Sequence, residues 1–131
     1  MLNILIKTDS HYRVNRDRIR KIIENCILER KAKGKIEVSV SIIGDRMMRQ
    51  LNYKYRNIDE STDVLSFPLS EETNKTQPFL DSPDSVLRLG DIVISYPQAV
   101  EEAIEENKLV DDKIDELVRH AMTHLFGNHH Q

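Results

Sequence analysis

The spacing of hydrophobic and polar residues along the chain predicts four short β-strands. Residues 2–7 and 36–43 alternate between apolar and polar positions, as strands with one buried face do. Residues 63–68 and 91–95 are rich in β-branched and aromatic side chains, which favour extended backbone. The sequence therefore predicts one sheet of about four strands.

Between these runs, apolar residues recur at the spacing of amphipathic helices. One helix is predicted over residues 14–32, with Asn15 or Asp17 as its N-cap. A second is predicted to follow Gly44, with a core face made of Met47, Met48, Leu51 and Tyr55. Together these helices would cover part of the sheet.

Two more helices are predicted in the last third of the chain. Pro97 is placed for the start of one of them. Asp111 or Asp112 would cap the last helix, which is expected to run to about Phe126. The resulting β-α-β-α-β-β-α-α order predicts an α+β fold of layered α/β type, with helices packed on one mostly four-stranded mixed sheet.

Length and composition favour a single domain over residues 1–131. A hydrophobic share of 39% and a charged share of 31% are typical of a soluble globular protein. No apolar run approaches the roughly 20 residues that cross a bilayer, and no signal peptide is evident. The lone Cys26 fits a reducing compartment. We therefore expect a cytoplasmic protein without a membrane partner.

The net charge of −3 hides an asymmetry between the two halves of the chain. Residues 1–60 carry 14 Lys and Arg against 8 Asp and Glu, whereas residues 61–131 carry 5 against 14. A basic half can follow the phosphates of a nucleic acid, although charged helix surfaces are usually no more than solvated faces. Charge alone leaves both interpretations open.

Four of the five histidines fall within the last twelve residues. His120 and His124 are four residues apart, so on a helix they project from one face. Gly127 can end that helix in a left-handed conformation, which would let His130 approach the same point. Three imidazoles with a fourth position for water form an open zinc site. The neighbouring His129 competes as the third ligand.

A helical projection places the two histidines at the edge of the buried face of the last helix. His120 and His124 lie at that edge, while Arg119 and Thr123 point towards solvent. The predicted core face consists of Ile114, Leu117, Val118, Ala121, Met122 and Leu125. The sequence therefore predicts a C-terminal metal-binding helix whose metal is open to substrate.

The residue between the histidines argues against peptide hydrolysis. Helix-borne metalloproteases read His-Glu-x-x-His and use the glutamate as general base, but Ala121 stands at that position. A hydrolase with three histidine ligands would instead depend on the metal to activate water. Cleavage of a phosphodiester would also need a cation on the phosphate, which arginine supplies best.

Three blocks of sequence resemble the YbeY endoribonucleases, bacterial proteins of ribosomal RNA maturation and ribosome quality control. The first is the C-terminal run H-x-x-x-H-L-x-G-x-x-H at 120–130. The second is LNYKYRNIDESTDVLSFP at 51–68, similar to the family's N-x-x-Y-R…T-D-V-L-S-F-P block. The third is LGDIVIS at 89–95. The blocks occur in family order, so the resemblance spans essentially the whole chain.

The resemblance implies a metal-dependent, single-strand-specific endoribonuclease that matures the 3′ end of small-subunit ribosomal RNA. His120, His124 and His130 would be the ligands of one Zn²⁺ ion, and Arg56 and His120 would be catalytic. Ribosomal RNA would be the substrate, with the ribosome or ribosomal proteins as partners. Arg56 fits physically, because it comes near a predicted helix end just before the strand at 63–68.

Two alternatives remain open at this point. The chain departs from the family signature at four positions, namely Ala121, Thr123, Asn128 and His129. One alternative is a ribosome-associated binding module with a structural metal and no nuclease activity. The other is a metal-dependent hydrolase of a substrate other than RNA.

Overall fold

The order of helices and strands agrees with the order predicted from the sequence. The computed structural model describes residues 2–9, 11–69 and 86–127. In chain order these ranges contain β1 (Leu2–Thr8), α1 (Arg16–Glu29), β2 (Lys35–Ile43), α2 (Asp45–Arg56), β3 (Val64–Pro68), β4 (Val86–Ser95), α3 (Tyr96–Glu105) and α4 (Val110–Gly127). These four helices and four strands form an α+β fold, as predicted.

The four strands form one mixed sheet in the order β1-β2-β4-β3. β1 pairs with β2, and β2 with β4, in parallel, whereas β3 is antiparallel to β4. β3 lies at one end of this strand order, opposite β1. Its residues 64–68 therefore have no strand neighbour on their outer side within the described ranges.

Helices pack on both faces of the sheet. On one face, the alternating pattern of β2 lets α1 and α4 pack against the sheet. The apolar faces of these two helices form one buried cluster with Ile36, Val38, Val40 and Ile42. A smaller cluster on the other face joins Met48 of α2 to Leu65 and Val93. The sheet is thus the middle layer near β3 and β4, and α2 and α4 lie on opposite sides of it.

Several predicted element ends shift by a few residues. Asn15 caps α1, and its side chain accepts a hydrogen bond from the Arg18 amide at 3.0 Å. The helix ends at Glu29 rather than near residue 32, because Lys31 adopts a left-handed φ of 56°. β4 begins at Val86, five residues earlier than predicted.

The start of α3 near Pro97 agrees with the prediction, whereas the predicted cap of α4 does not. Ser95 caps α3 by accepting a hydrogen bond from the Gln98 amide at 3.3 Å, so Pro97 lies within the first turn. α4 begins at Val110, which places Asp111 and Asp112 in its first turn instead of at its N-cap. Carboxylates there still interact favourably with the helix dipole.

The predicted core face of α2 is wrong in two of its four residues. Met48 is fully buried and Leu51 half-buried, but Met47 is 54% exposed and Tyr55 is 57% exposed. The buried side is completed by Asn52, whose Nδ2 donates to the Glu60 carbonyl at 2.9 Å. α2 therefore packs along a narrow line, and much of its surface faces solvent.

The described ranges contain no helix with both the length and the apolar character needed to span a membrane.

Candidate active site

The amphipathic pattern of α4 fixes where its histidines lie. All six residues predicted for its core face are buried, and Phe126 joins them. Arg119 and Thr123 are exposed, as predicted. His120 and His124 are also exposed, one helical turn apart, beside the buried Ala121. The helix is held on the protein body while both imidazoles remain accessible.

Both histidines line a cavity of about 680 Å³ together with Arg56. α4 forms one wall, and β3 with the residues just before it forms another. The complete lining consists of Arg56, Thr62, Asp63, Val64, Leu65, Ser66, Lys113, Glu116, Leu117, His120, Ala121 and His124. The fold thus brings the arginine and the two histidines from distant parts of the sequence to one cavity.

Arg56 reaches this cavity from the last residue of α2. The next residue, Asn57, adopts a left-handed φ of 60°, and its amide donates to the Tyr53 carbonyl at 2.9 Å. This αL turn ends the helix and sends the chain towards β3. The Arg56 side chain is exposed and has no ion pair within the described part of the chain.

The predicted third ligand cannot be placed, because His129 and His130 lie outside the described residues. The expectation for Gly127 is wrong: it is the last residue of α4, and it is not among the residues with positive φ. Helical backbone therefore continues through Gly127.

Ser66 of β3 contacts the second histidine, and sequence reasoning missed this contact. The Ser66 hydroxyl and the His124 Nδ1 atom are hydrogen-bonded across the cavity wall. Metal-binding histidines commonly fix the ring in this way, with one nitrogen in a hydrogen bond and the other on the metal. Only the fold could reveal the pair, because 58 residues separate its members.

A buried lysine near the start of α4 was also missed. Lys113 is only 5% exposed, and its Nζ donates to Glu106 at 2.9 Å and to Glu116 at 2.6 Å, with Glu102 3.3 Å away. The hydrogen bonds with Glu116 and Glu106 raise the pKa of Lys113. Those with Lys108 and Lys113 lower the pKa of Glu116 to about 2.

Asp63 extends this charged group towards β3. Its Oδ1 accepts a hydrogen bond from the Val64 amide at 2.7 Å. Burial raises the pKa of Glu102, and a hydrogen bond with Asp63 raises it further. The charge of Lys113 is thus balanced by surrounding carboxylates. Arg56 is the cation on this cavity that no carboxylate balances within the described ranges.

The described residues contain no group of three or more metal-binding side chains. Two of the three predicted ligands, His120 and His124, are present on one face of α4. Their imidazole nitrogens are of the type that zinc prefers, and the Ser66 contact fixes one ring, so the donor set fits a zinc ion.

Comparisons with known proteins agree on one family. A family model described as Endoribonuclease YbeY matches residues 4–131. The Endoribonuclease YbeY of Dehalococcoides mccartyi strain CBDB1 is 36% identical over 135 residues, covering 99% of this chain and 81% of the relative. The protein of that name from Thermoanaerobacter sp. strain X514 is 34% identical over 136 residues, covering 99% and 86%.

A solved structure has a similar fold. The solution structure of TM1509 from Thermotoga maritima matches with a TM-score of 0.56 and 25% sequence identity. The match covers 95% of this chain and 71% of that one.

Proposed function

The chain belongs to the YbeY endoribonuclease family, and on that premise we propose that it cleaves single-stranded ribosomal RNA at a metal site on α4. It is an endoribonuclease, a hydrolase that acts on RNA. The finer proposal is that His120, His124 and His130 bind one Zn²⁺ ion and that Arg56 and His120 are catalytic. The observation that carries it is the cavity shared by Arg56, His120 and His124.

A zinc ion bound there would lower the pKa of a bound water towards 7 and would polarise the phosphate under attack. The chain supplies the site's shape and its fixed charges. Ser66 holds the ring of His124 in one orientation. Buried Ala121 anchors the helix between the two histidines, so both rings stay on one side of the cavity.

Arg56 supplies the positive charge that a phosphodiester needs in its transition state. Its guanidinium is planar and always protonated, and it can donate two parallel hydrogen bonds to phosphate oxygens. Lys113 is a poor substitute, since Glu106 and Glu116 already occupy its ammonium group. We therefore assign transition-state stabilisation to Arg56.

The family resemblance implies that the substrate is ribosomal RNA. It also implies that the protein acts in the cytoplasm, with the ribosome or ribosomal proteins as partners. The excess of basic residues over residues 1–60 supports a polyanionic substrate. The two alternatives, a binding module without nuclease activity and a hydrolase of other substrates, are not favoured. The matching family and the two relatives described above carry the name endoribonuclease.

The test is digestion of three matched substrates by the purified chain: a single-stranded RNA, the same RNA in a duplex, and a DNA of the same sequence. We expect cleavage of the single strand alone. A chelator should abolish cleavage, and Zn²⁺ should restore it. Unchanged cleavage by metal-free protein would contradict the metal assignment, and loss of RNA selectivity would contradict the substrate assignment.

A further inference from the structure

One side of α2 carries three arginines and a tyrosine in a continuous line, which we call the α2 stripe. Its members are Arg46, Arg49, Tyr53 and Arg56. Their spacing of three, four and three residues places them within about 80° of one another around the helix axis. All four side chains are exposed. The stripe runs about 15 Å along the helix and ends at Arg56, on the cavity.

Tyr53 differs from the other three tyrosines of the chain. Tyr12 and Tyr96 stack on each other with ring centroids 4.7 Å apart. Tyr55 packs edge-on against Phe67 at 5.0 Å. Tyr53 is 55% exposed, and within the described ranges its ring has no aromatic partner. An accessible tyrosine ring with two rotatable bonds offers a flat surface at low entropic cost.

Two of the three positive charges of the stripe are also available to a ligand. Arg49 is paired with Asp59 through two contacts of 2.8 and 3.1 Å. Arg46 and Arg56 have no ion pair among the residues that the structure describes. Elsewhere, Arg18, Arg88 and Arg119 each contact a carboxylate. Two uncompensated guanidiniums therefore flank one accessible aromatic ring.

We propose that the α2 stripe binds the single-stranded RNA that flanks the cleaved phosphate. Tyr53 stacks on a base of that segment, and Arg46 contacts a phosphate farther from the cavity. Stacking on aromatic rings beside a basic track is how proteins hold single strands, because a duplex does not present its base faces. This inference rests on the proposed function, and it adds the path by which the strand reaches the site.

The test measures the Kd for a fluorescent single-stranded RNA whose 2′-hydroxyls are methylated. Binding is monitored by fluorescence anisotropy. Tyr53→Ala should weaken binding on the order of 10-fold, while Tyr53→Phe should bind like the wild type. Arg46→Gln should weaken binding and reduce the salt dependence of log Kd by about 0.7. The matched control is Lys33→Gln, an exposed charge between α1 and β2.

Two outcomes would overturn the proposal. One is a Tyr53→Ala protein that binds the methylated RNA as the wild type does. The other is equal weakening by Arg46→Gln and Lys33→Gln, which would indicate that only net charge matters. Cleavage assays on the same variants separate this inference from the nuclease assignment. If the wild type cleaves RNA and Tyr53→Ala binds RNA as tightly as the wild type does, the role of the α2 stripe is wrong but the nuclease assignment stands. If Tyr53→Ala weakens binding but the wild type cleaves no RNA, the nuclease assignment is wrong but the stripe still binds RNA.

Discussion

Replacing Arg56 with glutamine is expected to lower kcat for RNA cleavage by about 100- to 1,000-fold, the usual cost of removing one transition-state donor. The reason is the position of the guanidinium on the same cavity as His120 and His124. Because the side chain is exposed and has no ion pair in the described ranges, the free energy of unfolding should change by no more than about 0.5 kcal/mol.

Steady-state cleavage of a labelled RNA, together with urea unfolding, measures both effects. Arg56→Lys keeps the charge but loses the paired donors, so its rate should lie between those of the wild type and Arg56→Gln. Arg13→Gln removes an exposed arginine that does not line this cavity and serves as the matched control. An Arg56→Gln protein with the wild-type kcat would remove Arg56 from the mechanism.

Gly90→Ala should be the most destabilising of the glycine substitutions, at about 3–5 kcal/mol. Gly90 lies in β4 between two strand neighbours and has a φ of 146°, where L-residues are strained. A methyl group there would collide with the Phe67 carbonyl oxygen and would lie 2.9 Å from Leu125 Cδ2 and 3.0 Å from Pro68 Cα. Since β3 and α4 form the cavity walls, activity should fall with stability.

Chemical denaturation of the purified variants measures this loss. Gly34→Ala is the matched control, because Gly34 also has a positive φ, of 93°, but no atom would lie within 4 Å of the added methyl group. It should cost only about 1–2 kcal/mol, from backbone strain alone. Equal losses for the two variants would show that the close approach at Gly90 is unimportant.

The sequence was sufficient to predict the parts of the fold that depend on regular periodicity. The buried face of α4 was predicted residue by residue, because an 18-residue amphipathic helix repeats its pattern over several turns. The exposed positions of Arg119 and Thr123 followed from the same projection, which placed His120 and His124 at the edge of the buried face, where the structure has them exposed. Arg56 was predicted near a helix end, and it is the last residue of α2.

The sequence failed where tertiary contacts override the local pattern. Met47 and Tyr55 have helical spacing, yet the buried residues of α2 are Met48 and Asn52. Tyr55 stays mostly exposed although its ring contacts Phe67 of β3. The left-handed Lys31 that ends α1 carries no recognised stop signal, which is usually glycine or asparagine. Local patterns therefore predicted that α2 is a helix but not which of its sides is buried.

The polar parts of the site were the least predictable. Ser66 meets His124 only because β3 and α4 are adjacent in the fold. Lys113 is buried because carboxylates from α3 and α4 surround it, although lysine is rarely buried unless paired. The available signal for a buried lysine was its position: Lys113 comes directly before the core residue Ile114 and one helical turn before the core residue Leu117.

The central claim is that a metal held by histidines drives RNA cleavage. It is tested most directly by measuring zinc content and cleavage rate on the same preparations of wild type and His124→Ala. Thr123→Ala is the matched control, since Thr123 is the exposed neighbour whose hydroxyl donates to the Arg119 carbonyl at 3.0 Å. We predict about one zinc per chain in wild type and Thr123→Ala, and loss of both zinc and cleavage in His124→Ala. A His124→Ala protein that retained its zinc and cleaved RNA at the wild-type rate would contradict the claim.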